Sequence, residues 1–119
     1  MNIPSVIYFD AKKNAFAAAR AEDHRLPPEQ CRGLDCGFAW VDIPMGRAFM
    51  DDHTRAFLKW CKENGHGSKR GYGKHAWQFW SPAGAATQSV SVHYAGAAAF
   101  AASLRNAGIR YANAGQRLD

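Results

Sequence analysis

From Gly65 to Leu118 the sequence contains no aspartate and no glutamate, while Lys69, Arg70, Lys74, Arg105, Arg110 and Arg117 all fall there. This one-sided absence says more than the net charge of +5. Through residue 53 six Lys and Arg stand against eight Asp and Glu, and beyond it nine stand against two. Such asymmetry favours a polyanionic or acidic partner. Long apolar runs are missing as well. The most apolar stretch, Ala95 to Leu104, is mostly alanine and far short of the roughly 20 residues a membrane span needs. Met1-Asn2-Ile3-Pro4 shows neither the basic nor the apolar region of a secretory signal. Cysteine is sparse and odd in number, three residues in all, which suits reduced thiols better than a disulfide framework. The expectation is a cytoplasmic protein with no membrane segment.

What is present suffices for one core. Hydrophobic residues make up 47% of 119, with four Trp, seven Phe and four Tyr, enough apolar area to offset the entropy of ordering one domain. The expected organisation is a single domain over residues 1–119, in which 1–33 forms an N-terminal helical unit or arm. Ser5 to Phe9 reads as a short β-prone run, with Asp10 capping an Ala-rich helix from Ala11 to about Asp23. Pro27 and Pro28 close that unit. Cys36 to Ile43 (CGFAWVDI) carries the clearest strand pattern, with Phe38 and Trp40 on one side and Ala39, Val41 and Ile43 on the other. Both sides are apolar, so a central strand is expected.

Asp51 or Asp52 can cap a helix running to Asn64, with Gly65 at the position past its end. Phe57, Trp60 and Cys61 would share its apolar face, and Arg55, Lys59 and Lys62 its basic one. Gly65 to Lys74 is too glycine-rich to be regular. Ala76 to Ser81 resumes as a strand. A second Ala-rich helix is expected from about Ser91 to Asn106 with Gly108 as its stop, although Gln88 to Tyr94 also alternates like a strand. Ile109 to Ala112 would form a last short strand. Strands thus alternate with helices. The fold class is α+β: a small layered domain, a three- or four-stranded sheet with two or three helices packed mainly on one face.

Several short stretches, Cys36-Gly37-Phe38-Ala39-Trp40-Val41, the helix carrying Phe57, Lys59, Trp60 and Lys62, the Gly-Ser-Lys loop after it, Gln88-Ser89 and the end Gly115-Gln116-Arg117-Leu118-Asp119, resemble a group of small uncharacterised tailed-bacteriophage proteins. The resemblance covers about the last two-thirds of the chain and carries no assigned activity. It implies a setting, the host cytoplasm, and raises the expectation of nucleic-acid handling, host takeover, inhibition of a defence protein or a minor virion role over metabolism.

The leading candidate site is the basic, aromatic stretch from Arg55 to Trp80. Arg55, Lys59, Lys62, Lys69, Arg70 and Lys74 interleave there with Tyr72, Trp77 and Trp80. Cations neutralise phosphates and exposed aromatics stack on unpaired bases. The competing account is a solvated charged helix face with the tryptophans packed in the core. Nucleotide motifs fail. A P-loop ending in Gly73-Lys74 would need glycine at Ser68 and Ser or Thr at His75, and a G-x-G-x-x-G run from Gly65 meets Arg70 at its third glycine.

Cys31, Cys36, Cys61 and His66 make up a loosely spaced zinc set, against which stands the habit of free cysteine to act as a small buried hydrophobe. Cys36 or Cys61 with one of His24, His53, His66, His75 or His93 lacks any flanking nucleophile signature. Asp51, Asp52 and His53 could hold a divalent cation, but a helix cap explains the aspartates more simply. The sequence therefore points to a small basic binding protein rather than an enzyme, with no cofactor. Its expected partner is DNA or RNA through the Arg55–Lys74 surface. The alternative partner is an acidic host protein.

Overall fold

The computed structural model describes residues 3–25, 37–70, 75–83 and 90–118. Its elements are α1 (Pro4–Arg25), β1 (Gly37–Pro44), a 3-10 turn at Arg47–Phe49, α2 (Asp52–Glu63), β2 (Ser68–Lys69), β3 (Ala76–Trp80), α3 (Val90–Asn106) and β4 (Asn113–Leu118). The strands form one four-stranded sheet in the order β2-β3-β1-β4, every pair antiparallel. The α+β layered fold read from the sequence is the fold observed. β1 is central, and its alternation holds: Ala39, Val41 and Ile43 are buried while Phe38 is exposed. Among the described residues no helix is long and apolar enough to cross a membrane.

The helices share one side of the sheet. Ile7, Tyr8, Ala11, Ala15 and Ala19 of α1, Phe57, Leu58 and Cys61 of α2, and Val92, Ala97, Phe100, Ala101 and Leu104 of α3 enclose one core with Ala39, Val41, Ile43 and Phe79 of the sheet. Phe79 sits at its centre, 5.1 Å from the Phe100 ring and 6.5 Å from the Phe57 ring. α1 and α3 run antiparallel, with Asn14 Nδ2 donating to Ser103 Oγ across them at 3.1 Å. Small side chains make this approach close. A Cβ on Gly96 would stand 2.5 Å from Ala83 Cβ and 3.5 Å from Ala19 Cβ.

Three expectations were wrong. Ser5 to Phe9 is not a strand but the opening of α1, and Asp10 lies inside that helix. Pro4 suits a first helical position. Burial of Ile7 and Tyr8 at helical spacing with Ala11 and Ala15 then outweighs the β propensity of Val6 to Phe9. Gly65 to Lys74 is not wholly irregular, because Ser68 and Lys69 pair with Gln78 and Trp77 as an edge strand. Ile109 to Ala112 is a turn, its Ile109 N–H donating to Leu104 O and its Ala112 O accepting from Arg105 Nη1. The last strand follows it. Asn113–Leu118 has a weak strand pattern, and its pairing with β1 supplies what propensity does not.

α2 begins as expected. Asp51 caps it by accepting the Thr54 N–H at 2.7 Å. That hydrogen bond, with help from Arg110 and His53, holds the Asp51 carboxyl below its usual range. Gly65 and Gly108, past the ends of α2 and α3, take φ of 74° and 100°, where glycine carries no Cβ penalty.

Two consequences for stability can be measured by guanidinium unfolding. Gly96→Val should cost about 2–3 kcal/mol through overpacking against Ala83. Gly96→Ala should cost less, since a helix-propensity gain of about 1 kcal/mol offsets part of the overlap. Asp51→Ala should cost about 1 kcal/mol at pH 7. A carboxylate whose folded pKa is lowered stabilises above its unfolded pKa and ceases to do so as pH falls through the folded one. The gap between Asp51→Ala and the unaltered chain should therefore close in acid.

Candidate functional site

The side of the sheet opposite the helices carries a row of aromatic rings. Phe38 and Trp40 project from β1 and Trp80 from β3, with Trp40 directly opposite Trp80. The Trp80 ring lies 5.3 Å from Trp40 and 5.9 Å from Phe38 between centroids, edge-on to the latter. Trp80 is 50% exposed and Phe38 38%. Across β1, Gly115 of β4 opposes Trp40, and a Cβ on Gly115 would stand 2.6 Å from Trp40 Nε1. The glycine thus makes room for the indole to lie across the neighbouring strand. Arg117, opposite Phe38, holds its guanidinium 6.0 Å from the Phe38 ring centre.

A polar row runs beside the rings. Asn113 opposes Asp42, Asp42 opposes Gln78 and Gln78 opposes Ser68. Gln78 Nε2 donates to Asp42 Oδ1 at 3.0 Å, and Arg70 Nη1 lies 3.6 Å from Asp42 Oδ2. Asp42 is therefore balanced locally, and its negative charge does not dominate the face. Flat π faces able to stack on planar rings stand between guanidinium groups able to meet anions.

The residues named from the sequence do not gather on one surface. Arg70 is on this open side. Lys69, opposite Trp77, faces the helix side, where Trp77 packs against the core and donates its Nε1 N–H to His66 O at 3.0 Å. Arg55, Lys59 and Lys62 are exposed on α2, with Arg55 paired to Asp52 at 3.0 Å. Among the described residues Lys59, Lys62 and Lys69 form no ion pair. Tyr72 and Lys74 lie outside the described residues. Phe38, Trp40 and Arg117 were missed. The alternation of CGFAWVDI puts Phe38 and Trp40 on one side, but an apolar side of a strand need not be a covered one.

Of the four zinc candidates, Cys31 and Cys36 lie outside the described residues. Cys61 is fully buried, and burial pushes its thiol up to about 12, the reverse of what a nucleophile or ready metal ligand needs. His66 stacks on the ring of Tyr8 at 4.2 Å and also meets the ring of Trp60 at 5.2 Å, the three rings forming one cluster. Among the described residues no group of three His, Cys, Asp or Glu is placed to hold a metal ion. Asp51 caps α2, Asp52 is the ion-pair partner of Arg55, and His53 Nε2 meets Ala107 O in the turn after α3 at 2.8 Å, so each of the three is already engaged.

In a Cys31→Ser, Cys36→Ser background, Cys61 should not react with a disulfide reagent at pH 8 until denaturant is added. Rapid labelling of the folded chain would contradict the burial described. Comparison with protein-family models, with curated proteins and with solved structures finds no match for this chain.

Proposed function

We propose that this chain is a nucleic-acid-binding protein that takes an unpaired strand of DNA or RNA across the open side of its sheet. The observation that carries the reading is Trp80, half exposed in a row with Phe38 and Trp40 on the side of the sheet that none of the described helices covers. Indole that exposed is costly to leave in water and well suited to stacking, which contributes about 1–3 kcal/mol per base. Arg117 and Arg70 flank the rings and would meet phosphates, Arg70 in part by leaving Asp42. The exposed Lys59, Lys62 and Lys69 add positive field that draws a polyanion to the protein from the helix side. A duplex is the poorer ligand because its bases are already stacked.

The resemblance to small phage proteins extends this reading to a phage protein handling single strands in the cytoplasm of its host. No catalytic step is part of it. The binding is that of a stacking platform, tolerant of sequence because every base offers a π face.

Fluorescence anisotropy with labelled dT and rU 15-mers and a duplex of equal length, over a salt series, tests the reading. Single strands should bind more tightly than duplex, with quenching of tryptophan emission. Trp80→Ala should weaken binding by roughly 5- to 150-fold, the loss of one stacked base. Arg117→Ala should flatten the salt slope by about 0.7, one phosphate contact on a single strand. If Trp80→Ala binds as the unaltered chain does, or if no strand binds at low salt, the proposal fails.

A further inference from the structure

Asp42 is the one acidic residue in the four strands, and it stands in the middle of the side proposed to meet a polyanion. Its place is fixed. β1 is central, with Gln78 of β3 opposite Asp42 on one flank and Asn113 of β4 on the other. Two residues beyond Trp40 on the same side of β1, Asp42 lies about 6.6–6.8 Å along the strand from the aromatic row. Only 13% of its side chain is exposed.

The hydrogen bond from Gln78 Nε2 to Asp42 Oδ1 at 3.0 Å does not require a charge, since the carbonyl of an asparagine would accept it as well. Holding Arg70 does require one. Arg70 Nη1 stands 3.6 Å from Asp42 Oδ2, farther than the roughly 2.7–2.9 Å of a charge-assisted hydrogen bond, so Coulomb attraction rather than a directed bond keeps the guanidinium there. The Arg70 side chain, 39% exposed, is the accessible member of the pair. Its backbone is anchored, the Arg70 N–H donating to Ala76 O at 2.9 Å, which leaves the long side chain as the part that can turn. A phosphate is a better partner for the guanidinium fork, because two of its oxygens can accept in parallel. When Arg70 turns away, Asp42 keeps Gln78 and gains access to water, so no charge is stranded.

We propose that Asp42 competes with the phosphates of a bound strand for Arg70, holding the guanidinium in the unbound protein and yielding it when a base stacks on Trp80. This inference rests on the nucleic-acid reading and adds a restraint to it. The pair that is broken offsets part of the new phosphate contact, so Asp42 holds affinity below what the same surface with a neutral residue there would reach. The strand is thereby kept exchangeable.

A double-mutant cycle on binding of the dT 15-mer tests the exchange, with the folding of each variant checked by its guanidinium unfolding curve. Asp42→Asn, which retains an acceptor for Gln78, should tighten binding. Asp42→Ser, whose hydroxyl also accepts, should do the same and takes its place if the asparagine variant does not fold. Arg70→Ala should cost about two- to fivefold more affinity beside Asp42→Asn than in the unaltered chain, the worth of a part-exposed ion pair. Equal costs in the two backgrounds overturn the proposal, since Asp42 then acts only through its general charge. So does a folded Asp42→Asn chain that binds no more tightly than the unaltered one. Trp80→Ala reads the stacking separately. If it weakens binding while the two costs of Arg70→Ala are equal, the stacking stands and the exchange alone falls; if no strand binds, or Trp80→Ala changes nothing, the nucleic-acid reading fails and takes the exchange with it.

Discussion

The close approach of α1 to α3 is the constraint on which the rest of the structure depends. Ala15 and Ala19 meet Gly96 with no room for a further methyl group between Gly96 and Ala83. With so little bulk between them, the two helices form a thin layer that lets Tyr8 and Phe100 reach the same ring, Phe79, at 6.0 and 5.1 Å. The large side chains that small residues exclude from the seam are displaced elsewhere. Phe9 and Phe16 turn outward, and the aromatic mass of the core concentrates where α1, α2 and β3 converge. Packing by alanine and glycine gains proximity and dispersion contact rather than large transfer energy, so the arrangement relies on fit.

The sheet shows the same economy on its other side. Trp40 can lie across β4 only because Gly115 is beneath it, and Trp80 then rests against Trp40 rather than against a second layer of helices. The rings support one another at centroid distances typical of aromatic pairs, yet leave their outer faces in solvent. Asp42, Gln78, Asn113 and Arg70 satisfy one another next to them. A polar network fixed in this way helps keep this side of the sheet ordered where no described helix packs on it.

Much of the fold was legible in the sequence because the signals were local. The alternation in β1, the Asp51 cap with Gly65 closing α2, and Gly108 after α3 each follow from the chemistry of a few neighbouring residues. What failed was set by distant contacts. Ile7 and Tyr8 are β-prone in isolation and helical because α3 offers them a core. Asn113 to Leu118 has little strand character and becomes a strand because β1 presents unpaired backbone groups. The aromatic row was half legible. Periodicity grouped Phe38 with Trp40, but periodicity cannot say whether an apolar side is covered, and Arg117 and Trp80 join that group only through the pairing of three strands. The basic residues were legible in number and not in direction, because neighbouring positions such as Lys69 and Arg70 project to opposite sides of a strand.

The bond between Asn14 and Ser103 joins residues 89 positions apart, and this separation has a consequence during synthesis. α1 emerges from the ribosome with both its sides apolar, and its alanine face has nothing to pack on until α3 has been made. β1 likewise waits for β4. The core cannot be completed piecemeal, and the high sequence separation of its decisive contacts predicts slow folding that waits for α3 and β4 rather than stepwise growth from α1 onward. In that interval the nascent helix, with Phe9 and Phe16 already outward, is open to any protein that recognises exposed aromatic residues.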